Sequence, residues 1–219
     1  MESNGSLIHG RIFGANLRGA GQRTRLIVLR HGEVNVERAP GLYGQFDAPL
    51  SERGVEQSHA AAEKLRGMEL AAVASSDLQR ARYLADLIAQ ERGLTVHERA
   101  CFRERNFGEW QGLTWEQIEE RWPHELTEYQ KNPLAPIIPG GETYDQVSSR
   151  TLRGLDEFLI AHRGQTVVLA AHMGTIRVIA ANALGLDLRN TFSIFNDNCT
   201  MTVIDYYDNG RAALRTLGG

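Results

Sequence analysis

The sequence predicts an α/β domain, a three-layer α/β/α sandwich with a mostly parallel central sheet. Three observations carry that expectation. Short apolar runs alternate with amphipathic stretches along most of the chain, the order that puts helices on both faces of a parallel sheet. The runs are apolar throughout, as in strands buried on both faces. Glycines and polar clusters close the elements where turns are needed. A chain of 219 residues, 42% hydrophobic and 23% charged, has the length and composition for one domain with its own core.

Each element has a local cause. Residues 25–29 (RLIVL) read as the first buried strand, closed near Gly32. A helix is expected over 51–66, where apolar residues fall near 3.6 spacing and Gly67 follows as a stop. Residues 70–74 form a second short strand that runs into Ser75-Ser76-Asp77. An amphipathic helix over 78–92 stops at Gly93, and 95–98 reads as another strand. The stretch 114–129 is expected to be one helix, with Thr114 and Gln117 at capping-box spacing. Three prolines and two glycines make 132–141 a loop. A long helix over 143–163 precedes 165–171, the most apolar strand, and 175–184 is the helix after it. Segments 200–206 and 212–217 flank Asp208-Asn209-Gly210, a hairpin turn signal. Residues 1–24, rich in Gly, Ser and Asn without a sustained period, are expected to be a flexible N-terminal extension to a domain over 25–219.

In parallel sheets, ligands bind at the carboxyl ends of strands. There the sequence places Arg30-His31-Gly32-Glu33, then Ser75-Ser76-Asp77 with Arg80 a helical turn on, then Glu104, then His172-Met173-Gly174. Two arginines, two histidines and a carboxylate converge if those strands are neighbours. Guanidinium forks match phosphate oxygens, and a helix N-terminus adds N–H donors. Neutral imidazole is a competent nucleophile. Phosphoryl transfer needs mainly positioning and charge neutralisation. Glu104 can protonate a leaving alkoxide. The set therefore asks for a phosphomonoester.

Other chemistries find no support. Lys64 and Lys131 are the only lysines, and neither follows a glycine as a Walker A loop requires. Neither Cys101 nor Cys199 has an arginine six positions on, and two cysteines are too few for a disulfide framework. A Gly-x-Ser-x-Gly elbow and a His-Glu-x-x-His zinc helix are both missing, and no metal or other cofactor is expected. A net charge of −3 gives no footprint for nucleic acid, and the longest apolar runs are too short to span a bilayer. No apolar segment follows Met1 as in a secretory signal, so the expected location is cytoplasmic. A homodimer is the default assembly.

These residues also resemble a known family. Leu29-Arg30-His31-Gly32-Glu33 resembles the Arg-His-Gly signature of the histidine phosphatase superfamily, which includes cofactor-dependent phosphoglycerate mutases. Asp47-Ala48-Pro49-Leu50-Ser51-Glu52-Arg53-Gly54 is similar to its D-x-P-L-S-x-x-G, and Ser75-Ser76-Asp77-Leu78-Gln79-Arg80-Ala81 to its S-S-D-L-x-R-A. The segment from Glu104 to Gly112 (ERNFGEWQG) resembles E-x-x-F/Y-G-x-W-x-G. Pro139-Gly140-Gly141-Glu142 and His172-Met173-Gly174-Thr175-Ile176-Arg177 follow in the family's order. The resemblance implies a phosphoglycerate mutase-like fold and a phosphohistidine on His31. It also implies a clamp of Arg30, Arg80 and His172, and Glu104 as acid and then base. Asn35, Met173 and Gly174 are expected to bind the substrate, Asn35 at the phosphate. Where the family has a serine before the second histidine, this chain has Ala171, which removes a hydroxyl beside His172.

Hydrolysis is favoured over mutase chemistry, with a small phosphomonoester as substrate. A mutase holds a doubly anionic cofactor, yet the expected lid over 113–139 has Glu116, Glu119, Glu120, Glu125 and Glu128 against Arg121 and Lys131. That balance disfavours a second phosphate or a carboxylate on the substrate. Trp115, Trp122 and Tyr129 share one face of a continuous helix, either as packing under the lid or as an apolar wall for the leaving group. The alternatives are a cofactor-dependent phosphoglycerate mutase and a catalytically weak module that binds phosphorylated ligands.

Overall fold

Alternation along one strand decides the layers. In β1 (Arg23–Arg30), Leu26 and Val28 turn to one face of the sheet and Ile27 and Leu29 to the other, all four buried. The first pair packs with Leu155, Phe158, Ile176 and Ile179, the second with Ala61, Leu65, Leu84 and Ile88. Each such side chain contributes about 1.5–3 kcal/mol relative to exposure. The structure, a computed structural model, describes residues 21–37, 41–135 and 137–219.

After β1 come α1 (Glu52–Lys64), β2 (Ala72–Ser75), α2 (Gln79–Gln90) and β3 (Val96–Glu98). Then follow α3 (Trp115–Arg121), α4 (Pro123–Lys131), α5 (Tyr144–Ala161), β4 (Thr166–Ala171), α6 (Met173–Leu184), β5 (Met201–Tyr207) and β6 (Ala212–Thr216). Short 3-10 turns occupy Ala100–Phe102, Gly108–Trp110 and Leu188–Ser193. The six strands form one sheet in the order β3-β2-β4-β1-β5-β6. The β3-β2, β2-β4 and β4-β1 pairings are parallel, and the terminal hairpin joins antiparallel through β5. The expected three-layer, mostly parallel architecture is therefore present. Because β2, β4 and β1 are neighbours, Ser75-Ser76-Asp77, His172 and Arg30-His31 reach the same rim.

The elements differ from expectation in two places. β1 starts at Arg23, and buried Thr24 accepts a hydrogen bond from the Gly164 N–H at 3.0 Å, so the strand takes in the end of the expected extension. Residues 1–20 of that extension lie outside the described residues. The expected single helix over 114–129 is two. Thr114 and Gln117 do form the capping box that starts α3, but Trp122 leaves helical geometry (φ −137°, ψ 58°) and Pro123 opens α4. Proline has no N–H to continue a helix and forces the preceding residue out of the α region. Trp115, Trp122 and Tyr129 therefore do not share the face of one helix. The two helices close instead over a small core of Trp110, Ile118, Leu126 and Ile138.

Candidate active site

Close backbone packing sets the nucleophile loop. Ser51 caps α1 by accepting the Gly54 N–H at 3.0 Å. Behind that cap, Gly32 and Gly54 meet without side chains. A Cβ on Gly32 would lie 2.2 Å from the Gly54 carbonyl oxygen, and one on Gly54 would lie 2.0 Å from that of Glu33. Only glycine permits this approach, which seats His31 at the end of β1.

His31 is 2% exposed, and its Nδ1 lies 2.7 Å from the carbonyl oxygen of Gly32. A carbonyl only accepts, so Nδ1 carries the proton and Nε2 keeps its lone pair. The loop before β5 fixes the same turn from behind. Asn198 Nδ2 donates to the His31 carbonyl at 2.8 Å, the Cys199 N–H donates to that of Arg30 at 3.0 Å, and Arg30 Nη1 donates to that of Asn196 at 2.8 Å. His172 caps α6 and is fully buried, its ring 5.1 Å from that of His31. Ser76 Oγ lies 2.7 Å from His172 Nε2. The hydroxyl expected to be missing because of Ala171 is thus supplied from β2's end. Arg80, also fully buried, donates through Nη1 to the Phe46 carbonyl at 2.8 Å and through Nη2 to that of Gly44.

Three buried nitrogens here have no hydrogen-bond partner: Arg30 Nε, Arg80 Nε and His172 Nδ1. Unpaired buried donors are costly and rare. The His172 ring lies beside the neutral His31 imidazole and the Arg30 and Arg80 charges act on it, so these nitrogens can serve the oxygens of a tetrahedral oxyanion held there. If Ser76 donates to His172 Nε2, then His172 Nδ1 is itself a donor.

Burial, then the Arg80 charge and more weakly the Arg30 charge, hold His31 well below the usual 6.5, while its bond to Gly32 works the other way. Burial and then Arg80 depress His172 in the same direction. The sign follows. An unfolded chain binds two protons below 6.5 that the folded chain refuses, so the stability contribution is complete above 6.5 and is lost as pH falls towards the lower folded values. Melting followed by calorimetry should show stability falling by up to about 2.7 kcal/mol per pH unit between pH 6 and 5, one proton per histidine. A melting temperature flat from pH 7.5 to 5 would contradict the buried neutral pair.

Glu104 sits against the start of α6. Its Oε1 accepts the Arg105 N–H at 2.8 Å, and both carboxylate oxygens lie 3.1 Å from the Gly174 nitrogen. A Cβ on Gly174 would come within 2.2 Å of Oε1. Gly174, expected in substrate binding, spends its N–H on Glu104 here. Arg150 braces the same strand end. It binds the Glu142 carboxylate through Nε at 2.7 Å and Nη2 at 2.9 Å, and donates to the carbonyls of Cys101, Arg103 and Glu104.

Beside Glu104 opens a cleft of about 240 Å³. Its lining includes Tyr43, Arg105, Phe107, Tyr129, Tyr144, Met173, Arg177 and Phe192. Of the expected aromatic wall, Tyr129 is here, whereas Trp122 packs against the small core and Trp115 is 45% exposed; Phe107 joins Tyr129 in the cleft, and Trp110 is buried in the small core. The charge balance over 113–139 does not describe this cleft. Glu116, Glu119 and Glu120 are exposed, Glu128 pairs with Lys131, and none of the five glutamates lines it. Asn35, in the loop after β1, spends its Oδ1 on the Glu37 N–H at 3.0 Å. Among the described residues no cluster of three or more His, Cys, Asp or Glu is placed to hold a metal, and no helix is long and apolar enough to cross a membrane.

The chain is 32% identical over 198 residues to a bifunctional protein of Mycobacterium tuberculosis, covering 90% of this chain and 54% of the relative. It thus spans about half the length of the first curated relatives it matches. It is 31% identical over 180 residues to phosphoserine phosphatase 1 of Hydrogenobacter thermophilus, covering 82% of this chain and 85% of that protein. The solved structure of mycobacterial glucosyl-3-phosphoglycerate phosphatase superposes with a TM-score of 0.78 at 31% identity, covering 90% of this chain and all of the other (100%). The model of the histidine phosphatase superfamily (branch 1) matches residues 26–217, nearly the whole folded span, and the chain belongs to that superfamily.

Proposed function

We propose that this protein is a phosphomonoester hydrolase working through a phosphohistidine on a small phosphorylated metabolite. One observation carries the reading: a buried imidazole with a free Nε2 lone pair beside His172 and in the field of Arg80 and Arg30, each of which keeps a buried nitrogen without a partner. In the first step Nε2 of His31 attacks phosphorus and the ester P–O bond breaks. Glu104 gives its proton to the departing alkoxide. In the second step Glu104, now a carboxylate, takes a proton from water as the water oxygen attacks phosphorus. The P–N bond breaks, its electron pair returns to His31, and inorganic phosphate leaves. Arg30 and Arg80 neutralise the oxygens throughout, and neutral His172 donates a hydrogen bond to them through Nδ1. Met173 borders the leaving group, and Asn35 contacts the phosphate from the loop after β1. Segment 113–139 acts as the lid, through Tyr129.

The names of the relatives support hydrolysis: one acts on phosphoserine, another on glucosyl-3-phosphoglycerate. The test is a panel of phosphomonoesters, including p-nitrophenyl phosphate, with phosphate release measured from pH 4.5 to 8. Hydrolysis with an acid limb of kcat/KM below 6.5 is expected, because His31 stays neutral well below its usual value. Phosphoryl exchange between 2,3-bisphosphoglycerate and monophosphoglycerates, faster than phosphate release, would assign the mutase. Tight phosphate binding with no turnover at any pH would assign the binding module.

A further inference from the structure

The cleft beside Glu104 carries more positive charge than phosphoryl transfer needs. Arg105 is 1% exposed. Its Nε donates to the Glu142 carbonyl at 2.9 Å and its Nη1 to that of Pro133 at 2.8 Å. Its Nη2 is buried without a hydrogen-bond partner. Among the described residues no carboxylate pairs with this guanidinium, which lies 5.4 Å from the rings of Phe107 and Tyr144 and 5.8 Å from that of Tyr129. Arg177, one turn into α6, leans on Phe192 at 5.0 Å and anchors its Nε on the Ile194 carbonyl at 2.9 Å. It likewise has no acidic partner within ion-pair distance among the described residues. Both arginines line the cleft, whose only acidic residue among those described is Glu104, the proton donor of the reaction. A buried, unpaired guanidinium is costly to keep unless something anionic completes it.

Resting on the phosphomonoester reading above, we propose that Arg105 and Arg177 bind a carboxylate on the substrate's leaving group, so that the preferred substrates are phosphomonoesters of hydroxy acids. Arg105 offers one uncommitted terminal nitrogen from a fixed position, which suits one oxygen of a planar carboxylate, and Arg177 lines the same cleft as the second cation. The aromatic rings give the carbon skeleton an apolar surround and keep water from the pair, which strengthens it. This reverses the expectation drawn from the acidic lid segment, because those glutamates do not face the cleft.

The test compares kcat/KM for 4-carboxyphenyl phosphate, 4-carbamoylphenyl phosphate and phenyl 1,4-bisphosphate. Wild type should prefer the carboxylate over the amide by about tenfold or more, and over the bisphosphate. In Arg177→Met and Arg105→Met the carboxylate-to-amide ratio should fall towards one, and Arg105→Lys should keep part of it. Comparing ratios between variant and wild type cancels the difference in leaving-group basicity. If Arg105→Met does not fold, as judged by circular dichroism, Arg177→Met decides alone. Turnover of all three esters without preference, or a preference that survives in Arg177→Met, overturns the carboxylate site and leaves the phosphatase standing. A preference for the bisphosphate also overturns it. No turnover of any ester overturns both.

Discussion

Replacing His31 with alanine should lower kcat for every phosphomonoester by at least about a thousandfold, a loss of roughly 4 kcal/mol of transition-state stabilisation. The reason is local. Burial and two neighbouring guanidiniums keep the imidazole neutral, the Gly32 carbonyl fixes its tautomer, and Nε2 is left as the only ring nitrogen able to attack. Ser76 is engaged with His172, Cys199 is buried against Ser58, and burial pushes the Cys199 thiol up. Acid-avoiding quench of wild type during turnover, followed by mass spectrometry of the peptides, should find the phosphoryl group on His31, and the alanine variant should carry none. An adduct on another side chain, or turnover in the variant within tenfold of wild type, would remove His31 from the nucleophile role.

The alternating rhythm of the chain made the sandwich legible. Leu26 to Leu29 read as a strand apolar on both sides, and the structure divides them between two cores. The rim was legible for the same reason, since strand ends are points in the sequence. His31, Arg80, Glu104 and His172 each stand at or just beyond one. What lay hidden depends on side-chain direction or on segments far apart. The cleft collects Tyr43, Arg105, Tyr144, Arg177 and Phe192 from five parts of the chain, and no local pattern marks them as neighbours. Ser76 was visible as part of a motif, but its bond to His172 arises only because β2 pairs with β4. The acidic count over 113–139 misled because a sum of charges carries no direction. The break at Trp122 was available, since Pro123 is a strong local stop that the capping signal at Thr114 overshadowed.

The bracing of Glu104 links that architecture to reactivity. Arg150 ties α5 to the carbonyls of Cys101, Arg103 and Glu104, while its carboxylate partner Glu142 also accepts the Asn106 N–H at 2.9 Å. An ion pair of this kind contributes little where water reaches it. Here it is mostly buried; burial raises the Glu142 carboxyl, but the Arg150 bond, the Asn106 N–H and the charges of Arg150 and Arg105 together leave it lowered. Its consequence is positional: the segment that carries the proton donor is held from both sides, by α5 and by the first turn of α6.

Glu104→Gln is the second large effect, and its size should depend on the leaving group. The substitution is gentle structurally. Oε1 accepts from both the Arg105 and Gly174 N–H groups, at 2.8 and 3.1 Å, so the amide oxygen of glutamine can take its place, and only the second contact of the Gly174 N–H, to Oε2 at 3.1 Å, is given up. Only the ionisable oxygen is lost. An alkyl ester leaves as a strongly basic alkoxide and needs the proton, so its kcat/KM should fall about 10²–10⁴-fold. A p-nitrophenolate leaves without help, so kcat/KM for p-nitrophenyl phosphate should fall less than about tenfold. The second step then exposes the other half of the role. Without a base for water, the phosphohistidine should accumulate, giving a burst of p-nitrophenol equal to the enzyme concentration before a slow steady state. Because kcat/KM reports only the events through P–O cleavage, the burst and the leaving-group dependence separate acid from base on one residue. Equal losses on both esters, with no burst, would take Glu104 out of proton transfer and leave it as a structural partner of the α6 N-terminus.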